Sequence, residues 1–241
     1  MSFNKKSVLV IGASGSIGSE VSRNLLEEGY SVGLQYFSKN KKIINLKKNF
    51  EKKKIKYYKN KLSNVKDCKK LISTFRKDFN NIFGLVICSG RIIDQHIANL
   101  SFDLFKKTLN EHCLIPFFLS KEFIFQNKNK IKIIFLSSIG VKYLGSEKSS
   151  HYMVSKAALE KAMLSLAKLY PIRVQINGIR SGVVNTNIVK KRGIKWATTR
   201  RSLIPMKRFA KTYEISNVIN FLLSNKSTYI NGSIISVAGG E

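Results

Sequence analysis

The sequence predicts an α/β fold: a doubly wound parallel sheet of seven strands flanked by helices, in a single domain spanning residues 1–241. Three observations carry that prediction. Short apolar runs alternate with longer amphipathic stretches along the whole chain, and a glycine-rich turn follows the first apolar run directly. No linker, repeat or shift of composition divides the 241 residues, a length that one core can serve.

The elements follow in order. Ser7 to Ile11 is apolar throughout, as a strand covered on both faces should be, and it ends at Gly12. An amphipathic helix is expected from Ile17 to Glu28, then a strand from Ser31 to Tyr36 and a lysine-rich helix from Lys41 to Lys53. Ile55 to Tyr58 and Phe83 to Cys88 read as strands on either side of a helix over Val65 to Phe79. A long helix is expected from Phe102 to Gln126, a strand from Ile131 to Ser137, a helix from Tyr152 to Leu169 and a strand from Ile172 to Asn177. The closing pair is a helix over Tyr213 to Leu223 and a strand over Ser233 to Val237. Between them, Thr186 to Lys211 fits no periodicity; a long loop in a compact domain is often a substrate lid.

Composition narrows the function classes. Lysine and arginine number 43 against 14 acids, a formal charge of +29 that attracts anions. Eleven lysines fall in Lys39 to Lys61, and nine basic residues with no acid in Lys190 to Lys211. Neither zinc-finger spacing nor an RNA-binding aromatic motif accompanies the charge, so nucleic acid is not the expected partner. Cys68, Cys88 and Cys113 lack any paired spacing, and His96, His112 and His151 are isolated, so no metal site is expected and the histidines are taken as structural. With no secretory leader and no apolar run near the ~18 residues of a membrane span, a cytoplasmic protein is expected.

At the first turn, Gly12-Ala13-Ser14-Gly15-Ser16-Ile17-Gly18 joins strand to helix, where backbone N–H groups can approach a pyrophosphate at the helix start. The second strand ends in Gln35-Tyr36-Phe37-Ser38-Lys39. An NAD site would place a carboxylate there; here Ser38 and Lys39, with Lys41 and Lys42 behind them, suit a 2′-phosphate instead, so NADP(H) is favoured over NAD(H).

Ser137-Ser138-Ile139-Gly140 closes the fifth strand, and Tyr152-Met153-Val154-Ser155-Lys156 opens the next helix, with Tyr152 and Lys156 on one face. A phenol that titrates near ~10 needs a neighbouring cation to work as an acid or base near neutrality. Taken with the glycine turn, these residues make the chain resemble the short-chain dehydrogenase/reductase family over nearly its whole length. The resemblance implies a Rossmann-like fold, with Tyr152 passing a proton to or from the substrate oxygen. It implies that Lys156 lowers the tyrosine's pKa and holds the nicotinamide ribose, that Ser138 orients the carbonyl, and that Asn110 in Thr108-Leu109-Asn110-Glu111-His112 anchors a water leading to the lysine. It also implies cofactor contacts at Gly12, Ser14, Gly15, Ser16, Ile17, Gly18, Ser38, Lys39, Leu62, Ser89, Gly90, Tyr152, Lys156, Gly182, Val184 and Thr186.

Some positions depart from the family pattern. Ser16 stands at the usual middle glycine, Lys61 at an aspartate that contacts adenine, Ile87 and Cys88 at two asparagines, and Ser181 at a proline. Ser138 and Tyr152 lie one residue further apart than usual, which leaves Ser137 as a rival for the serine role. The stretches Ile204 to Phe209, Tyr229 to Gly232 and Gly239-Gly240 resemble the 3-oxoacyl-[acyl-carrier-protein] reductases of fatty-acid biosynthesis. The expected substrate is therefore a carbonyl, small or carrier-linked, with an acidic acyl carrier protein drawn to a basic lid of Arg192, Lys195, Arg200 and Arg201 around Trp196. A sugar or surface-glycan precursor is the alternative substrate, and an idle nucleotide- or nucleic-acid-binding scaffold the competing class. The resemblance further implies a homotetramer.

Overall fold

The computed structural model describes residues 5–38, 41–50, 54–190 and 192–241. Its seven-stranded sheet is parallel throughout, with β1 (Ser7–Ile11), β2 (Ser31–Tyr36), β3 (Ile55–Lys59), β4 (Ile82–Ile87), β5 (Ile131–Ser138), β6 (Val174–Ser181) and β7 (Ile234–Val237) in the order β3-β2-β1-β4-β5-β6-β7. The chain winds outward from β1 to β3, then returns to place β4 beside β1. At that reversal the connections leave in opposite directions and open a crevice beyond the carboxyl ends of β1 and β4.

Alternation along the strands feeds two cores. Leu9 and Ile11 face one side with Phe75, Phe123, Ile133 and Met163; Val8 and Val10 face the other with Leu25, Leu34, Ile134 and Ile219. The first layer uses α3 (Val65–Asp78), α5 (Ile115–Phe125) and α6 (Ser150–Leu169); the second uses α1 (Ser16–Glu27), α2 (Lys41–Asn49) and α9 (Thr212–Leu223).

Three expectations change. The helix foreseen over Phe102 to Gln126 divides into α4 (Phe102–Leu109), a π-helical turn over Asn110–Leu114, and α5. Pro116, at the start of α5, has no N–H for a continuous ladder. The sixth strand runs from Val174 to Ser181, several residues beyond the expected Ile172 to Asn177. Asn177-Gly178-Ile179-Arg180 reads as a turn in sequence, yet Gly178 is needed where a side chain would strike the Phe135 ring at 2.5 Å. Arg180 in turn has a buried partner on α6. Finally, Thr186 to Lys211 is not an open loop: it holds the short α7 (Asn187–Lys190) and α8 (Ile194–Leu203). Helix α8 buries no residue and leaves Ile194 and Leu203 exposed, so it lacks the apolar stripe by which a helix is read from sequence. The segment's ends are tied together by a bridge between Val184 and Ala210. The expected end of α2 at Lys53 lies outside the described residues. Among the described residues no helix is long and apolar enough to cross a membrane, and no cluster of metal ligands forms.

Candidate active site

A cavity of about 1090 Å³ opens at the crevice. Its walls bring together Gly15, Ser16, Ile17, Gly18, Ser89, Gly90, Ser138, Tyr152, Lys156, Gly182, Val184 and Thr186, twelve of the residues singled out in the sequence. Gly12, Ser14, Ser38 and Leu62 lie outside the lining, and Lys39 is outside the described residues.

The nucleotide end is built from backbone. Gly12 sits at φ 77°, a left-handed conformation, and an added side chain would come within 2.8 Å of the Ser89 backbone. A Cβ on Gly18 would lie 2.3 Å from the Gly12 carbonyl oxygen, so the helix meets the turn at a distance that only glycine permits. Buried Gln35 braces the turn, its Oε1 accepting from Gly12 N at 3.1 Å and its Nε2 donating to Asn60 O at 2.8 Å. Helix α1 starts at Ser16 with no side-chain cap, and Lys42 Nζ donates to Ser16 Oγ at 2.6 Å. An uncapped helix start carries roughly half a positive charge, and the ammonium adds a full one beside it. A phosphate fits this cradle. Among the described residues from β2 into α2, Lys42 reaches the cradle, while Ser38 is exposed. Among the described residues that directly follow β2 there is no carboxylate.

At the chemical end, Lys156 is buried and its Nζ donates to the Leu136 carbonyl at 2.7 Å. Burial pulls its pKa down to about 8. Tyr152 lies beside it, with Nζ 5.8 Å from the ring centre. Burial raises the phenol's pKa above its ordinary value, the opposite of the lowering expected from Lys156. Desolvation is the cause, and the Lys156 ammonium is engaged by the Leu136 carbonyl. Ser138 Oγ accepts from Gly140 N at 3.1 Å, which leaves its own O–H to donate into the cavity. Its rival is spoken for: Ser137 Oγ donates to Glu160 Oε1 at 2.6 Å. Asn110 opens the π-helical turn and its Nδ2 donates to Ser63 O at 3.0 Å, so its side chain braces the loop after β3 rather than reaching toward Lys156.

Several neighbours escaped the sequence. Glu160 lies one turn beyond Lys156 and gathers Ser137 from β5 and Arg180 from β6, the latter through Nε at 2.9 Å and a second nitrogen at 2.6 Å. The spacing from Lys156 signals a shared face, but nothing in sequence joins it to Arg180. His112 packs edge-on against Tyr152, ring centres 4.9 Å apart, and its Nε2 lies 3.1 Å from Arg91 O. Burial, reinforced by Lys156, pushes its pKa down to about 3, so the imidazole stays neutral and Nε2–H is the donor. Over the cavity, Arg192 chelates Asp94 at 2.7 and 2.8 Å and lies 4.8 Å from the Trp196 ring, while Arg200 pairs with Glu241.

Residues 12–241 match the family model described as Enoyl-(Acyl carrier protein) reductase. A 3-oxoacyl-[acyl-carrier-protein] reductase of Buchnera aphidicola is 28% identical, covering 100% of this chain and 98% of its own length. The chain belongs to the short-chain dehydrogenase/reductase family of oxidoreductases. An NADP-dependent mannitol dehydrogenase of Alternaria alternata is 25% identical over 99% of this chain and 93% of that protein. A short-chain dehydrogenase/reductase from Serratia marcescens has the same fold, with a TM-score of 0.91 at 21% identity over 98% of this chain and 97% of that one.

Proposed function

We infer that the protein reduces a carbonyl group with NADPH, Tyr152 acting as the proton donor. The observation that carries this is the meeting of the Tyr152 phenol, the Lys156 ammonium and a Ser138 hydroxyl free to donate in one cavity with a glycine cradle. When bound, the nicotinamide cofactor supplies the hydride. Ser138 O–H orients the carbonyl oxygen, and Tyr152 gives that oxygen its proton as negative charge develops there. Buried Lys156 stabilises the phenolate left behind, an interaction that strengthens where water is excluded.

NADPH is favoured over NADH by the carboxylate-free sequence that ends β2 and by the lysines that follow it, Lys39, Lys41 and Lys42. The NADP dependence named for the Alternaria relative agrees with it. A 3-oxoacyl thioester is the substrate best supported, through the Buchnera relative and the C-terminal resemblance. A sugar or polyol is the second reading, favoured by the mannitol dehydrogenase at similar identity. The homotetramer implied by the family would cover Phe102, Phe125, Val154 and Leu169, exposed on α4, α5 and α6.

The test follows NADPH consumption with 3-oxoacyl thioesters, keto-sugars and simple ketones. Tyr152→Phe should lower kcat by about 100-fold or more, the usual worth of a positioned acid. Turnover that persists at the wild-type rate would refute the assignment.

A further inference from the structure

A general acid must keep its hydroxyl for the substrate, so the Tyr152 ring has to be oriented by what packs against it. The Lys156 ammonium lies 5.8 Å from the ring centre, and the His112 ring stands 4.9 Å away at 88° to it. An edge-to-face pair favours a defined angle between two planes, which an ammonium alone does not impose. His112 is itself fixed. It is 1% exposed, and its Nε2–H donates to Arg91 O at 3.1 Å. Its ring lies against Gly90, where a Cβ would strike Cε1 at 2.5 Å and Nδ1 at 2.6 Å, so residue 90 must lack a side chain for the imidazole to sit there. The π-helical turn over Asn110–Leu114 carries His112, and such irregular turns are frequent at functional sites. Asn110, on the same turn, goes to Ser63 instead. Being neutral, the imidazole adds no charge beside the Lys156 ammonium.

We propose that His112 is a positioning residue: its ring, anchored to the Gly90-Arg91 segment after β4, holds the Tyr152 phenol in the orientation from which it gives up its proton. This rests on the carbonyl-reductase reading and deepens it. His112 is buried behind the cavity wall and acts only through Tyr152. Gly90 and Tyr152 both line the cavity, so the same imidazole ties the cofactor wall to the acid.

The ring and its anchor are separable. His112→Gln keeps an N–H for the Arg91 carbonyl and removes the ring; His112→Phe keeps a ring and removes the N–H. With NADPH and a ketone that the wild type reduces, His112→Gln should lower kcat about 10- to 100-fold, the cost of a reacting group displaced by about 1 Å. KM for NADPH and for the ketone should stay within about threefold, which also reports an intact fold. His112→Phe should recover most of the loss. In the Tyr152→Phe background, where no phenol remains to be placed, His112→Gln should change the residual rate by less than about twofold. An equal fall in both backgrounds, or a faster rate with glutamine than with phenylalanine, would overturn the proposal. A second readout needs no turnover. With tyrosine labelled with ¹³C at Cζ, the Tyr152 signal is the one lost in Tyr152→Phe. His112→Gln should broaden or split that signal, as a ring with more than one orientation does, and leave the other tyrosines unchanged. A Tyr152 signal as sharp and single as in wild type would end the role of His112. Wild type that reduces no carbonyl would instead defeat the functional reading, and the labelled tyrosine would then decide alone whether His112 sets the ring.

Discussion

Replacing Glu160 tests whether the catalytic strand ends are held by one buried charge. Glu160 is 5% exposed on its side chain and Arg180 27% exposed. The carboxylate accepts two bonds from Arg180 and one from Ser137, and so joins α6, β5 and β6 where Ser137 pairs with Arg180 and Ser138 with Ser181 in the sheet register. Breaking a buried ion pair by removing one partner costs ~3–5 kcal/mol, mostly the penalty of the charge left behind. Arg180 retains some access to water, so the lower end applies and we set Glu160→Leu at ~2–3 kcal/mol. At ~2–4 °C per kcal/mol for a chain of this size, the Tm should fall by about 4–12 °C. Arg180→Met alone should cost a similar amount. The double variant should recover most of the loss, because apolar side chains of like volume replace a buried pair at little net cost. Thermal unfolding followed by circular dichroism on the four proteins gives the coupling directly. Losses that simply add, with a coupling under ~0.5 kcal/mol, would refute the clamp.

Two further outcomes follow from the charges near the cofactor cradle and the catalytic pair. Lys156, pulled down to about 8, should lose its proton as pH rises through that value, and the rate of carbonyl reduction should fall with it. Between about 8 and its unfolded value near 10.5 the folded lysine is neutral while the unfolded one is charged, so this group's share of stability rises with pH in the same window. A pH–rate profile flat from 7 to ~10 would contradict the role given to the ammonium. Lys42→Gln should raise KM for NADPH about 10-fold and change KM for NADH far less, as the loss of one charge-assisted phosphate contact requires. Parallel loss with both cofactors would place Lys42 on the shared pyrophosphate rather than the 2′-phosphate.

The fold was legible because its signals are local. The central strands β1 and β4 are almost wholly apolar runs, and Gly12 to Gly18 announces the turn that the crevice requires. Ser138, Tyr152 and Lys156 were legible for a related reason: Ser138 ends β5 and the other two lie in the first two turns of α6, elements whose positions the alternation already sets. What stayed hidden depends on partners far along the chain. Arg180 reads as part of a turn until Glu160 is seen across from it. Lys42 stands in the sequence only behind Ser38 and Lys39 as a candidate for a 2′-phosphate, and its place beside Ser16 shows once α2 folds back over the start of α1. The setting of the catalytic pair was hidden too, because spacing shows that Lys156 is near Tyr152 but not that the lysine is buried and its ammonium turned to Leu136.

The same distinction governs the net charge of +29. A basic lid suggests docking of an acidic carrier, but the structure divides its cations by what they face. Arg192 is spent on Asp94, and Arg200 is turned inward onto Glu241. Both arginines line the cavity, so they shape the pocket and hold the lid to the body across its mouth. Lys195, Arg201 and Lys207 remain exposed, and they share that surface with exposed Ile194, Leu203 and Met206. Docking of an acidic carrier, as proposed, would therefore fall to other residues of the segment than those that line the cavity. Changing Arg200 perturbs the pocket for every substrate, whereas a charge that steers only a carrier has to be sought at Lys195 and Arg201.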